Sequence, residues 1–226
     1  MLTPGIGSEM MMLISQLIIK YGFTPTPWNK SRSILLYKKG NPEELKNWRP
    51  LTIAPCLYRL WICALAKCIQ DVHKQRTKLF DPNQKGFIRG IDGCLEHSNM
   101  ITEVICDANR KQKDVYITSI DLNDVFGSLT HKYIMYMLSR MNFPQSIENI
   151  IKDSYVNGVT KIRVGNDESD LININKVVKQ GCPLSSLIFN FCINPLLSKL
   201  EQIVRWLFKH IPMTLCSLHL QEKACR

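Results

Sequence analysis

Two short segments carry residue types suited to chemistry on phosphates. The first is Asp121-Leu-Asn-Asp-Val-Phe126, which begins at the end of an apolar, β-branched run over 115–122. Asp121 therefore falls where a strand ends and the chain turns. A carboxylate held there by a rigid element is placed to hold a divalent cation. An isolated aspartate in such a spot more often caps the following helix, and the residues alone leave that role open. The second segment is Lys179-Gln-Gly-Cys-Pro-Leu-Ser-Ser-Leu-Ile-Phe-Asn190. A glycine followed by a helix start lets backbone come close to a nucleotide or a nucleic-acid strand. By itself the same wording could mark only a strand-to-helix turn.

The elements that must position these residues are legible from periodicity. The pattern predicts a helix over 8–20 that ends at Tyr21-Gly22, after which Pro25 and Pro27 keep the chain extended. A short strand over 33–37 closes in the basic turn Lys38-Lys39-Gly40-Asn41-Pro42. After Pro55, the residues Leu57, Leu60, Trp61, Ala64, Leu65, Cys68 and Val72 recur at helical steps and predict one buried face. Asp81-Pro82-Asn83 makes a turn, Gly86, Gly90 and Gly93 mark a loop, and a helix follows to about 110. The run over 115–122 is the clearest strand, with Val115, Ile117, Ser119 and Asp121 on one face. Helices are expected over 131–141 and 145–157. A hairpin of 159–164 and 171–178 is expected around Gly165-Asn166-Asp167. A last helix then carries Pro183 in its first turn. Helices, a strand, helices, a hairpin and a helix in that order predict an α+β fold rather than a doubly wound one.

Charge narrows the class of partner. The chain carries a net charge of +10 with a pI near 9.2, which favours nucleic acid or an acidic membrane surface. Residues 28–67 hold eight cations, Lys30, Arg32, Lys38, Lys39, Lys46, Arg49, Arg59 and Lys67, against Glu43 and Glu44. A solvated basic face would read the same way. The nine cysteines are scattered without a Cys-x-x-Cys pair, as in a reduced, intracellular chain. Cys94/His97 and Cys216/His219 are two Cys-x-x-His pairs, but a structural zinc needs its four ligands at suitable spacing, and no zinc site is expected from them. The apolar run over 10–19 is too short to span a bilayer, no signal peptide is recognisable, and no membrane partner is expected.

In this order the segments resemble the reverse transcriptases of non-LTR (LINE-type) retrotransposons. Asp121 to Phe126 is similar to the family's motif A, and Gln180-Gly-Cys-Pro-Leu-Ser185 to its motif B. Upstream, Pro27-Trp28 with Ser33-Ile-Leu-Leu-Tyr-Lys-Lys-Gly40 resembles the first fingers motif. Asn47-Trp-Arg-Pro-Leu-Thr52 with Leu57-Tyr-Arg-Leu60 resembles the second. Gln84-Lys-Gly-Phe-Ile88 and the Glu96-His97 helix look like the next block, so the likeness runs from about 8 to about 203. The resemblance implies a right-hand polymerase, with fingers and part of the palm built as mixed helices and a small antiparallel sheet over 1–205. It implies RNA-directed DNA polymerase activity with Mg²⁺, an RNA template, a DNA primer and dNTP, and no other small-molecule cofactor. It makes Asp121 the first catalytic, metal-binding carboxylate, beside the carbonyl of Leu122. Phe126 would pack under the incoming sugar, Lys38 and Arg49 would reach the triphosphate, and Gln180 and Gly181 would lie against template and nucleotide. Lys30, Arg32 and Lys39 would line a track for the template backbone.

The family pattern also breaks. Its chemistry uses two metal ions about 4 Å apart, and the other carboxylates come from an Asp-Asp hairpin after motif B. The last aspartate here is Asp170, and after Glu201 the only acid is Glu222. The family often has Ala at Val125, Asp at Gly127 and Pro at Ser186. The expectation is an inactive fragment in which 206–226 is an unrelated tail, located in nucleus or cytoplasm. The alternatives are a non-catalytic nucleic-acid-binding remnant and a different right-hand polymerase, such as an intron maturase.

Overall fold

The computed structural model describes residues 5–75, 79–117, 119–120, 127–174, 182–210 and 219–220. Helix α1 (Ile6–Tyr21) leads through a short 3₁₀ turn, Thr26–Asn29, into strand β1 (Lys30–Tyr37). A loop with a second 3₁₀ turn, Leu45–Asn47, returns the chain as β2 (Trp48–Ile53). Helices α2 (Cys56–Gln75) and α3 (Gly93–Lys111) precede the short β3 (Ser119–Ile120). Then come α4 (His131–Ser139), α5 (Gln145–Val156), β4 (Val159–Val164), β5 (Asp167–Glu168), β6 (Ile172–Asn173), α6 (Ser185–His210) and β7 (His219–Leu220). The class is α+β, as the element order predicts. The chain divides into two compact units, 1–68 with 126–185 and 69–125 with 186–226.

The first unit holds a five-stranded sheet in the order β2-β1-β4-β5, with β6 also on β4. The expected small antiparallel sheet needs correction. β1 pairs antiparallel with β2 but parallel with β4, so the sheet is mixed. Antiparallel neighbours follow from short hairpins, whereas a parallel pair needs a long crossover. Here everything from β2 to α5 lies between the two strands. Pro50, which lacks an N–H, sits on the edge strand β2, where a missing ladder donor is tolerated.

One carboxylate ties the start of β1 to the helix that precedes β4. Asp153 Oδ2, on α5, accepts from the Thr24 N–H at 3.0 Å, the Thr24 hydroxyl at 2.7 Å and Asn29 Nδ2 at 3.3 Å. Its Oδ1 accepts from Asn157 Nδ2 at 2.7 Å. Burial pushes the Asp153 carboxyl up, but the donors on Thr24, Asn157 and Asn29 outweigh it and hold its pKa below the usual carboxylate range. Thr24 and Asn29 are themselves buried, so their polar atoms depend on this partner. The same unit buries Trp28, Ile150, Ile151, Tyr155 and the α4 residues Ile134 and Leu138. Tyr58 of α2 meets Trp28 edge-on, with ring centroids 6.5 Å apart.

The face of α2 also departs from expectation. Leu57 and Leu60 are 49% and 60% exposed, and Ala64, Cys68 and Val72 are exposed as well. The buried side is Tyr58, Trp61, Ile62, Ala66 and Ile69. Successive residues on a helix are about 100° apart, so the two apolar stripes overlap. Trp61 belongs to both and is buried, and packing turns the helix so that Tyr58, Ile62, Ala66 and Ile69 join it in place of Leu57, Leu60, Ala64 and Cys68.

Two further expectations change. Of the strand expected over 115–122, residues 118, 121 and 122 lie outside the described residues; Ser119–Ile120 form β3, paired in parallel with β7, while Tyr116 and Ile117 stand 61% and 45% exposed without a ladder. A strand forms only where a neighbour takes up its hydrogen bonds. The return arm of the hairpin starts early, at Asp167. It is then interrupted, because Ser169 Oγ accepts the Ile162 N–H at 3.0 Å in place of a backbone carbonyl. Pro183 lies in a turn just ahead of α6 rather than inside it.

In the second unit, α6 straps the loop 79–92 through two asparagines one turn apart. Asn194 Oδ1 accepts the Asp81 N–H at 3.1 Å while its Nδ2 donates to the Leu79 carbonyl at 2.9 Å. Asn190, fully buried, donates to the Gly86 carbonyl at 2.8 Å. Phe80 stacks on Phe191 with centroids 4.8 Å apart. The Asp92 side chain caps α3 by accepting the Leu95 N–H.

Two stability outcomes follow. Asp153→Ala strands the donors of Thr24 and Asn29 and should cost about 2–3 kcal/mol near pH 6 in urea denaturation. Because the folded pKa is depressed, this stabilisation is full above about pH 4 and drains as the pH falls through the folded value. The gap between wild type and variant should therefore narrow at pH 3, and a constant gap would contradict a charge-based tie. Asn194→Ala should cost about 1–3 kcal/mol and speed hydrogen exchange at the Asp81 amide.

Candidate nucleic-acid interface

Alternation along β1 sorts its residues onto two faces. Ser31 and Ser33 are buried on the inner face. There the Ser33 hydroxyl lies 3.0 Å from that of Thr52 on β2 and 2.9 Å from that of Thr160 on β4. This hydroxyl ladder stitches three strands from the inside, and the buried polar groups satisfy one another.

The opposite face gathers cations. The register pairs Arg32 with Lys161 and Ile34 with Arg163 across β1 and β4. Across β1 and β2 it pairs Arg32 with Ile53, Ile34 with Leu51 and Leu36 with Arg49. The Lys38 N–H donates to the Asn47 carbonyl at 2.8 Å, which extends the ladder by one pair and puts Lys38 on the Arg49 side. Lys30, Arg32, Lys38, Arg49, Lys161 and Arg163 thus share one face. Spacings are about 6–7 Å along a strand and about 4.8 Å between strands. Among the strand residues of this sheet, Glu168 is the one acid on that face. Its Oε1 lies 3.7 Å from Arg32 Nε and its Oε2 3.7 Å from Lys161 Nζ.

Lys38 and Lys39 sit on a braced loop. The Tyr37 and Trp48 rings pack with centroids 5.4 Å apart at its base. Trp48 Nε1 donates to the Pro42 carbonyl at 2.7 Å, the Tyr37 hydroxyl donates to the Gly40 carbonyl, and Asn47 Nδ2 donates to the Asn41 carbonyl at 2.8 Å. Gly40 has φ +99°, and a Cβ there would stand 2.7 Å from Asn47 Nδ2, so the turn is built for glycine. Both lysines are exposed on this braced support. A fixed grid of positive charge beside apolar and aromatic groups suits a polyanion that is bound along its backbone.

The structure therefore brings together Lys30, Arg32, Lys38 and Arg49, with Lys39 on the adjoining loop. Asp121, Leu122, Phe126, Gln180 and Gly181 lie outside the described residues. Sequence reasoning passed over Lys161 and Arg163. Their alternation in Thr160-Lys-Ile-Arg-Val164 was a readable sign of a basic strand face, but nothing local announced pairing with β1. Among the described residues no group of three or more His, Cys, Asp or Glu is placed to hold a metal ion. No helix among them is long and apolar enough to cross a membrane.

Comparison with known proteins gives this surface a context. Residues 36–216 match the family described as reverse transcriptase (RNA-dependent DNA polymerase). The chain is 35% identical over 187 residues to a retrovirus-related Pol polyprotein from the type-1 retrotransposable element R2 of Popillia japonica. That alignment covers 82% of this chain and 26% of the relative. An R2 polyprotein of Nasonia vitripennis is 29% identical over 194 residues, covering 86% of this chain and 18% of the relative. A probable RNA-directed DNA polymerase from transposon BS of Drosophila melanogaster is 25% identical over 179 residues, 79% of this chain and 19% of the relative. The chain thus spans about a quarter or less of the length of these relatives. The match runs over most of the chain, and it establishes that this chain belongs to the reverse transcriptase family, as a domain of the non-LTR retrotransposon kind.

Proposed function

We propose that this chain forms fingers and part of the palm of an RNA-directed DNA polymerase, which joins a dNTP to a primer 3′-hydroxyl on an RNA template. The observation that carries this reading is the family match over 36–216, which includes the Asp121 and Gln180-Gly181 segments in the family's order. Asp121 and Leu122 are the residues that would hold a Mg²⁺ ion, which when bound would supply Lewis-acid stabilisation of charge at the phosphorus. Phe126 packs beneath the incoming sugar. Arg49 offers a planar fork and Lys38 a point charge to the triphosphate. Gln180 and Gly181 lie against template and nucleotide, and Lys30, Arg32 and Lys39 follow the template backbone. The shared face of Arg49, Lys38, Arg32 and Lys30 supports a phosphate-binding role for this group. The chain acts inside the cell, in nucleus or cytoplasm, wherever its template RNA resides.

The deciding test is primer extension on an RNA template with dNTPs and Mg²⁺, comparing wild type with Asp121→Ala. The family's Asp-Asp pair has no counterpart in this sequence, so wild-type extension should be low. Whatever extension there is should fall by about 10²–10³-fold or more in the variant, the scale seen when a charge-stabilising group is removed from a reacting centre. Equal extension by both would overturn the assignment of Asp121. Absence of extension by wild type with RNA binding retained would favour a non-catalytic nucleic-acid-binding protein. Arg49→Ala should raise the KM for dNTP by about tenfold or more, and Arg49→Lys should restore it only in part, because an ammonium cannot make the bidentate contact.

A further inference from the structure

We propose that Glu168 is a built-in counterion that occupies Arg32 and Lys161 until a nucleic-acid phosphate displaces it, and so sets the affinity and salt response of the sheet's basic face. This rests on the nucleic-acid reading above and adds a residue that tunes it. The placement of Glu168 is a property of the backbone. The two-residue turn Gly165-Asn166, with Gly165 at φ +62°, reverses β4 into β5. The ladder then sets Glu168 opposite Arg163 and Asp167 opposite Val164, on the other face. Ser169 locks this register, its N–H donating to the Ile162 carbonyl at 2.9 Å while its hydroxyl receives the Ile162 N–H. The carboxylate is thereby held between two cations that belong to different strands, 3.7 Å from each.

The strength of these pairs matches a displaceable role. Both are partly solvent-exposed and longer than a charge-assisted hydrogen bond, so each is weak. A phosphate oxygen can approach the Arg32 guanidinium or the Lys161 ammonium more closely, and it releases counterions as it does so. Without an anion, Glu168 relieves repulsion between Arg32 and Lys161, which the register sets directly beside each other. With a nucleic acid bound, it becomes a like charge next to the phosphates and opposes binding. The carboxylate thus lowers affinity for any polyanion and favours one that engages both cations at once.

The test is fluorescence anisotropy of a labelled single-stranded RNA oligonucleotide titrated with the chain across a range of salt. Glu168→Gln keeps the shape and removes the charge. It should bind about 3- to 10-fold tighter at low salt, and the plot of log affinity against log salt should steepen by about 0.7 for each cation released. Asp167→Asn, the same charge change on the other face, should leave affinity unchanged. On an Arg32→Ala/Lys161→Ala background, which should itself bind more weakly, Glu168→Gln should give no gain. A gain that persists there, or one matched by Asp167→Asn, would mean that net charge alone is responsible and would overturn the proposal. Unchanged affinity in Glu168→Gln, with its fold verified by urea denaturation and with wild-type binding and Asp121-dependent extension intact, would overturn this inference alone. Lack of salt-dependent RNA binding by wild type would overturn both it and the nucleic-acid reading.

Discussion

The arrangement of the basic face depends on a carboxylate that is not part of it. Asp153 collects the Thr24 and Asn29 donors from chain segments 129 and 124 residues away. In doing so it fixes the start of β1 beside the end of α5, from which β4 departs. Chain entropy opposes so distant a contact, and several charge-assisted hydrogen bonds to buried partners offset that cost. Once β1 and β4 begin together they run parallel, and the hydroxyls of Ser33, Thr52 and Thr160 close the inner face. The position of every cation outside then follows from alternation.

Charge and packing act in opposite directions on this sheet. Clustering like charges on adjacent strands is destabilising, by roughly 0.2–1 kcal/mol for a directly opposed pair. The inner face supplies the compensation through satisfied hydroxyls and the aromatic core around Trp28 and Tyr58. Glu168 supplies a smaller part on the outer face itself. The surface is thus kept charged at a tolerable free-energy cost, as the proposed nucleic-acid contact requires. The same separation holds in the loop after β1, where Trp48 and Asn47 spend their hydrogen bonds on backbone carbonyls and leave Lys38 and Lys39 on an ordered support.

The helices show how far a linear pattern reaches. α1, α3, α4 and α5 form close to the bounds expected from periodicity, because capping and apolar spacing are local properties. The same reasoning found Trp61 on the buried side of α2 but misplaced the centre of that face. Leu57 and Leu60 fit a helical stripe as well as Tyr58 and Ile62 do, and only the neighbours decide which stripe is covered. β2 gave no local signal, since Pro50 argues against a strand unless it lies at an edge. The run over 115–122 gave a strong signal, and among the described residues Ser119–Ile120 form β3 while Tyr116 and Ile117 have no ladder, because pairing takes two strands.

From the sequence alone came the α+β class, the family likeness, the basic segment over 28–67 and the residues that could do chemistry. Those are properties of residue identity and order, and the match over 36–216 rests on the same information. Tertiary structure decided which cations are neighbours. Lys30, Arg32, Lys38 and Arg49 share a face through a hairpin, a contact short enough in sequence to be guessed. Lys161 and Arg163 join them only through a parallel pairing across more than a hundred residues, together with Glu168, which lies 3.7 Å from both Arg32 and Lys161. No local pattern specifies such a partner. Strand pairing is chosen by the global competition among hydrogen-bonding edges and buried faces, and here the Asp153 tie resolves it.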